Sequence, residues 1–239
     1  MSVSRPLWMT SVYAVSAVAL WGLAFPLIQD GLEYFSPVML GFVRFGLASL
    51  VLVAVILVRY PLRQIGSTVM KEWRALLALA LLYVTIPNIA QNIGLENGTS
   101  SIASVIQSSG PVMTLIFAVI LLKEKLTQLK AAGTVIAMAG TIMLVVSGGL
   151  SLKDEDFVSN VLILISATSY GLAWVSAKRM IERNPPLLVI GLSLVLGTGL
   201  LALALPFEED SMAVFDESSL LNILVLGDRK STRLNSSHR

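Results

Sequence analysis

The chain has 239 residues, 55% of them hydrophobic and 13% charged, with a mean hydropathy of +0.80 and a net charge of +2. A soluble domain carries roughly 25% charged residues, so this composition excludes a water-soluble globule. No cysteine is present and the single histidine is His238, which excludes disulfides, thiol chemistry and any histidine-based metal site or triad.

Apolar runs of about 20 residues, long enough to cross a hydrocarbon core about 30 Å thick, recur along the chain. The first, 7–29, follows a basic start at Arg5 and contains Ala17-Val18-Ala19, which loosely fits a signal-peptide cleavage site. It runs on past Trp21, longer than a signal core, so an uncleaved helix is expected. Further spans are expected at 37–58, 73–95, 100–122, 129–147, 158–177 and 187–205. An eighth begins near Leu220 and stops at Gly227; its eight residues would rise only about 12 Å. The closing string DRKSTRLNSSHR has no apolar face and resembles translated sequencing-adapter read-through. Residues 228–239 are therefore expected to be non-native or disordered, and the molecule to be a truncated one.

The connecting segments sort by charge. One set holds Arg5, Arg59, Arg63, Lys71, Arg74, Lys123, Lys125, Lys130, Lys178, Arg179 and Arg183. The alternate set holds Asp30, Glu33, Glu96, Asp154, Glu155, Asp156, Glu208, Glu209, Asp210, Asp216 and Glu217, with Lys153 its only base. Basic loops stay cytoplasmic, which puts the N-terminus inside and makes odd-numbered spans run outward.

The word WGLAF at 21–25 returns as YGLAW at 170–174, and Pro37 and Pro186 open the next spans at the same offset of 149 residues. Five spans per unit is odd, so the second unit is expected to be inserted upside down. Transporters built this way hold solute near the bilayer midplane, where the units meet.

The strings LWGLAFPLI, FVRFGLASLVL and SSGPVMTLIFAVILLKEKLT resemble the EamA domain of the drug/metabolite transporter superfamily. Trp21, Arg44, Pro111 and Glu124 match the family pattern, while Lys123 stands where the family commonly has Gly. The resemblance implies ten spans in two inverted five-span repeats, both ends cytoplasmic, and transport of small metabolites. On that basis 1–150 is one full repeat and 151–227 the start of a second.

Seven residues are candidates for contact with solute: Trp21, Arg44, Asn88, Gln91, Ser104, Gln107 and Tyr170. Arg44 lies inside an apolar span, where a charge costs about 2.5–3.5 kcal/mol on insertion scales. It either faces a wet cavity and an anionic solute group or snorkels to headgroups. Asn88, Gln91 and Asn92 share one helix face, as do Ser104, Gln107, Ser108 and Pro111. Such stripes must face protein or water, either lining a cavity or bonding between helices. Pro87 and Pro111 could break their helices and free carbonyls. Trp21 and Tyr170 either stack on solute or pack within the bundle, and Trp174 suits the inner aromatic belt. Gly133, Ala137 and Gly140, and Ser193 with Gly197, form small-residue faces suited to helix packing. Glu124 reads as part of a solvated inner loop.

No complete span contains Asp, Glu or His, so the usual proton-relay groups are missing. The expectation is an all-α polytopic membrane protein of inverted five-helix repeats, with seven full transmembrane helices and a truncated eighth. Its function would be secondary transport of small organic metabolites or drugs by alternating access; the alternative is a non-transporting membrane scaffold or subunit. Its expected place is a prokaryotic plasma (inner) membrane. No enzyme activity, cofactor, metal or nucleic-acid partner is expected. Its partners are a small-molecule substrate, the bilayer and, as an open option, a second copy in a homodimer.

Overall fold

Proline sets where two of the helices begin. Pro37 and Pro186 each occupy the first helical turn, where the missing N–H costs nothing and the fixed φ already suits the helix. The computed structural model describes residues 7–147 and 154–208; the short eighth span and the 228–239 tail lie outside them. Helices α1 (Leu7–Gly31), α2 (Pro37–Arg59), α3 (Leu62–Ala80), α4 (Ile86–Asn97), α5 (Ser100–Gln107), α6 (Gly110–Leu122), α7 (Gln128–Ser147), α8 (Asp154–Ile181) and α9 (Pro186–Ala204) follow in order. A π turn, Leu81–Thr85, joins α3 to α4, and a 3-10 turn, Leu205–Phe207, follows α9.

Among the described residues five rods are long and apolar enough to cross a membrane: Pro37–Arg59, Leu62–Asn97, Ser100–Leu122, Phe157–Ile181 and Pro186–Phe207. The chain is a multi-pass, helical membrane protein. Helices α1 and α7 cover the other two expected spans, with 25 and 20 residues.

Two expectations need correction. The third rod begins at Leu62, not near residue 73, because its first turns carry Arg63 and Gln64 and are amphipathic, which average hydropathy cannot register. The two internal prolines also act differently. Pro87 lacks the N–H that would bond the Tyr83 carbonyl, and the widened π turn just before it absorbs the mismatch, so the rod continues. Asn88 Nδ2 donates to the Val84 carbonyl at 2.7 Å, an example of side chains re-satisfying backbone near a helix irregularity. Before Pro111 the fourth rod does break, at Ser108 and Ser109.

Helix α8 packs against α4, α5 and α6, while α9 packs against α2, α3 and the π turn. Close approach depends on glycine. A Cβ on Gly171 would sit 2.8 Å from Met113 Cβ, and one on Gly197 would sit 2.4 Å from Val84 Cβ. Gly197 and Ser193 are thus a packing face as expected, but Gly133 and Gly140 have no atom of another element within 4 Å. Helix α7 lies at the edge of the described bundle, packed on α5 and α6, and nearly all its described side chains are exposed.

The loops gather at two ends. At one end Thr68 hydrogen-bonds to Asn184 at 3.4 Å, and Glu124 pairs with Lys178 and, at 3.5 Å, with Lys130. Glu124 is therefore a tie between three rods instead of a merely solvated loop residue. At the other end Gln29 Nε2 donates to the Gly98 carbonyl at 2.9 Å, and Gln29 Oε1 accepts from Ser100 N–H at 3.1 Å. Glu208 accepts from Ser36 Oγ at 2.6 Å and Val38 N–H at 2.9 Å, placing a carboxylate on the positive end of the α2 dipole.

Candidate functional site

An apolar cluster of Phe25, Ile28, Leu40, Leu95, Ala103 and Ile163 closes the end of the bundle that holds Gln29 and Gly98. Residues four apart share a helix face and differ by about 6 Å in height. One turn toward the centre from Phe25, Leu40, Leu95 and Ala103 stand Trp21, Arg44, Gln91 and Gln107; three residues on from Ile163 stands Ser166. Five helices thus bring polar or amphipathic side chains to one level beneath an apolar cap. Toward the other end a second cluster, Leu76, Leu79, Ala173, Ala177, Met180 and Val189, closes the interior again.

Between the caps runs a chain of aromatic rings in edge-to-face contact. Trp21 meets Tyr170 with centroids 6.4 Å apart, Tyr170 meets Tyr83 at 5.9 Å, and Tyr83 meets Trp174 at 5.6 Å. Each such pair contributes about 0.5–1.5 kcal/mol beyond its buried area. Tyr170 also lies within electrostatic reach of the Asn88 side chain and of Arg44.

Several polar atoms at this level lack a partner among the described residues. They are Arg44 Nη1, both Gln107 amide atoms and Ser166 Oγ, with Ser109 Oγ and Asn92 Oδ1 nearby. Gln107 is 1% exposed, where an unpaired amide costs about 1–3 kcal/mol. Buried groups of this kind ordinarily find a partner, so this level is the candidate place for water or solute to bind. Beside them Gly110 is buried, yet beyond its own helix no atom lies within 4 Å of where its Cβ would be. A recess beside the aromatic chain, lined by Leu79, Tyr83, Ala173, Trp174, Ala177 and Ile190, has mainly apolar side chains around it; the polar level is the better candidate.

Of the seven expected residues, six fall on or next to this level: Trp21, Arg44, Asn88, Gln91, Gln107 and Tyr170. Ser104 does not. Its hydroxyl bonds the Ser101 carbonyl of its own helix at 2.8 Å, and it stands one residue off the buried face of Ala103 and Gln107. Ser166 and Tyr83 were not anticipated. Both were marked by spacing: Ser166 precedes Tyr170 by four, and Tyr83 is the residue whose carbonyl Pro87 leaves without its usual donor.

Away from this level, Glu124 matters for another reason. Its hydrogen bond to Lys178, together with that charge, holds its carboxyl below the usual carboxylate range. Lys123, just before it, is the only non-glycine with positive φ among the described residues (φ 54°), capping α6 in the left-handed region. That geometry favours Gly, the residue that the family resemblance leads one to expect at this place.

The model of the EamA-like transporter family matches residues 8–146. The chain belongs to that family. An uncharacterized transporter of Archaeoglobus fulgidus is 25% identical over 76% of this chain and 62% of its own length. The uncharacterized transporter YcxC of Bacillus subtilis is 34% identical over 45% of this chain and 35% of its own. The uncharacterized inner membrane transporter YedA of Escherichia coli K12 is 32% identical over 67% of this chain and 50% of its own. The chain thus spans less than two thirds of the length of these relatives. No solved structure matches it.

Proposed function

We propose that this EamA-family chain forms all or part of a secondary transporter of small organic solutes, working by alternating access between two inverted five-helix units. The observation that carries the reading is contact between residues separated by the repeat offset itself. Ser49 and Thr198 hydrogen-bond at 2.9 Å across 149 residues, and the Trp21–Tyr170 ring pair has the same separation. Contact between equivalent residues is what a pseudo-twofold axis relating the two units would produce. The neighbouring packing is reciprocal: Gly191 lies against Ile56 and Leu52, while Phe42 shares a cluster with Leu201 and Leu205, the same three positions exchanged between units. The axis passes beside the polar level, where such transporters hold their solute.

On this reading all seven rods cross the membrane, α1 and α7 included. The end carrying Lys71, Lys123 and Lys178 faces the cytoplasm, and the membrane is a prokaryotic inner one. The two apolar clusters are the gates, with solute between them. The native absence of cysteine makes the test clean. Single cysteines at Phe25 and at Ala177 should become accessible to a membrane-impermeant maleimide in opposite senses, one opening as the other closes when solute is added. Parallel changes at both positions, or labelling of cysteines at Lys71 and Lys178 from opposite faces of the membrane, would refute the proposal.

A further inference from the structure

We infer, building on the transport reading above, that the solute is a small organic anion carrying a planar ring, its acidic group held by Arg44 and Gln107 and its ring set against Trp21. The inference starts from charge balance. Arg44 is half-buried one turn below the apolar cap, and its Nη1 is enclosed without a hydrogen-bond partner. Its one described charge-related neighbour inside the bundle besides Tyr170 is the Phe45 ring, 5.8 Å from the guanidinium carbon. The ion pairs among the described residues belong to Glu124, and between the two apolar clusters the described segments contain no Asp or Glu. A half-buried cation with an enclosed, unpaired Nη1 gains from a counter-charge, and a guanidinium fork matches carboxylate geometry in two parallel bonds. A bound solute carrying a carboxylate would supply that negative charge.

The surroundings define the rest of the molecule. Gln107 has both donor and acceptor unspent, so it can bind an acidic group together with an adjoining hydroxyl or amide. Trp21 is 46% exposed while its edge still meets Tyr170, so part of the indole is available to stack on a ring. A cationic solute would meet like charge at Arg44, and a neutral one could accept a hydrogen bond from Nη1 but would bring no counter-charge.

The same acidic chemistry could come from a lipid phosphate reached by Arg44, so the test separates the two sources. The full chain is placed in proteoliposomes of either zwitterionic or anionic lipid, and affinity is measured for phenylacetate, phenylacetamide and phenethylamine. These share a ring and differ in charge. Phenylacetate should bind about tenfold or more tighter than the amide in both lipids, and phenethylamine weakest. Arg44→Gln should abolish the preference, while Arg44→Lys should retain part of it. Equal affinity for the three probes, no binding of phenylacetate, or an Arg44-dependent effect that follows anionic lipid alone would overturn the assignment. If Arg44→Gln does not fold, the order of the three probes on the unaltered chain decides. Counterflow separates this inference from the transport reading. Phenylacetate that binds but never exchanges across the bilayer removes transport and leaves the anion site, while exchange of phenylacetamide as fast as phenylacetate does the reverse.

Discussion

Gly197 is the tightest descriptor of how α9 meets the π turn, and replacing it with Ala is the most informative single substitution. The added Cβ would lie 2.4 Å from Val84 Cβ and 2.8 Å from both Val84 Cγ atoms. Carbon atoms rest about 3.5–4.0 Å apart, so one side must retreat by more than about 1 Å. No rotamer of Val84 helps, because the closest atom is its own Cβ, fixed to the backbone. Val84 belongs to the same π turn as Tyr83, so the displacement also draws that ring from Tyr170. Overpacking of this kind costs about 1–3 kcal/mol. Gly199→Ala, two residues along the same helix, is the control: nothing outside its own helix lies within 4 Å, and better helix propensity should leave it neutral or up to about 1 kcal/mol more stable. Melting of both variants in detergent, followed by tryptophan fluorescence, gives the comparison. Equal melting temperatures would show that α9 and the π turn do not pack as described.

Other expectations rest on independent contacts. Ser49→Ala and Thr198→Ala should each destabilise, with a double-mutant coupling of about 0.6 kcal/mol, the usual size for a hydrogen bond between membrane helices; zero coupling would argue against contact on the axis. Lys123→Gly should raise stability by up to about 1.6 kcal/mol. It relieves a left-handed residue costing about 1–2 kcal/mol against an unfolded-chain entropy loss of about 0.4–1 kcal/mol, and a lower melting temperature would contradict the α6 cap. Glu124 has a lowered pKa, so its pairing with Lys178 is fully present above the ordinary carboxylate range and is lost as pH falls through the lowered value. Acid or high salt should therefore bring the melting temperature of the parent toward that of Glu124→Gln, and a pH-independent gap between the two would count against the tie.

Much of this protein could be read from the sequence because membranes impose one strong rule: backbone polar groups in lipid must bond within their own helix. Apolar run lengths, the prolines at 37 and 186 and the sorting of loop charge therefore mark helices directly. Trp21 and Tyr170 stand out because the repeat offset marks them. Arg44 stands out because a charge among apolar residues is conspicuous. Polar start turns such as 62–72 escape this logic, since their amphipathic character shows only against a neighbour.

Tertiary structure decided which helix faces which. The two copies of the repeated word illustrate it: Gly171 is pressed against α6, whereas Gly22, its equivalent, borders open space. Nothing local distinguishes them. Likewise Gln107 and Ser104 lie three residues apart on one apparently uniform stripe, yet only Gln107 points under the apolar cap. Spacing along a helix fixes angles within that helix alone. The level at which Trp21, Arg44, Gln91, Gln107 and Ser166 coincide depends on how five helices slide past one another, and close packing between chain-distant surfaces is what sets it.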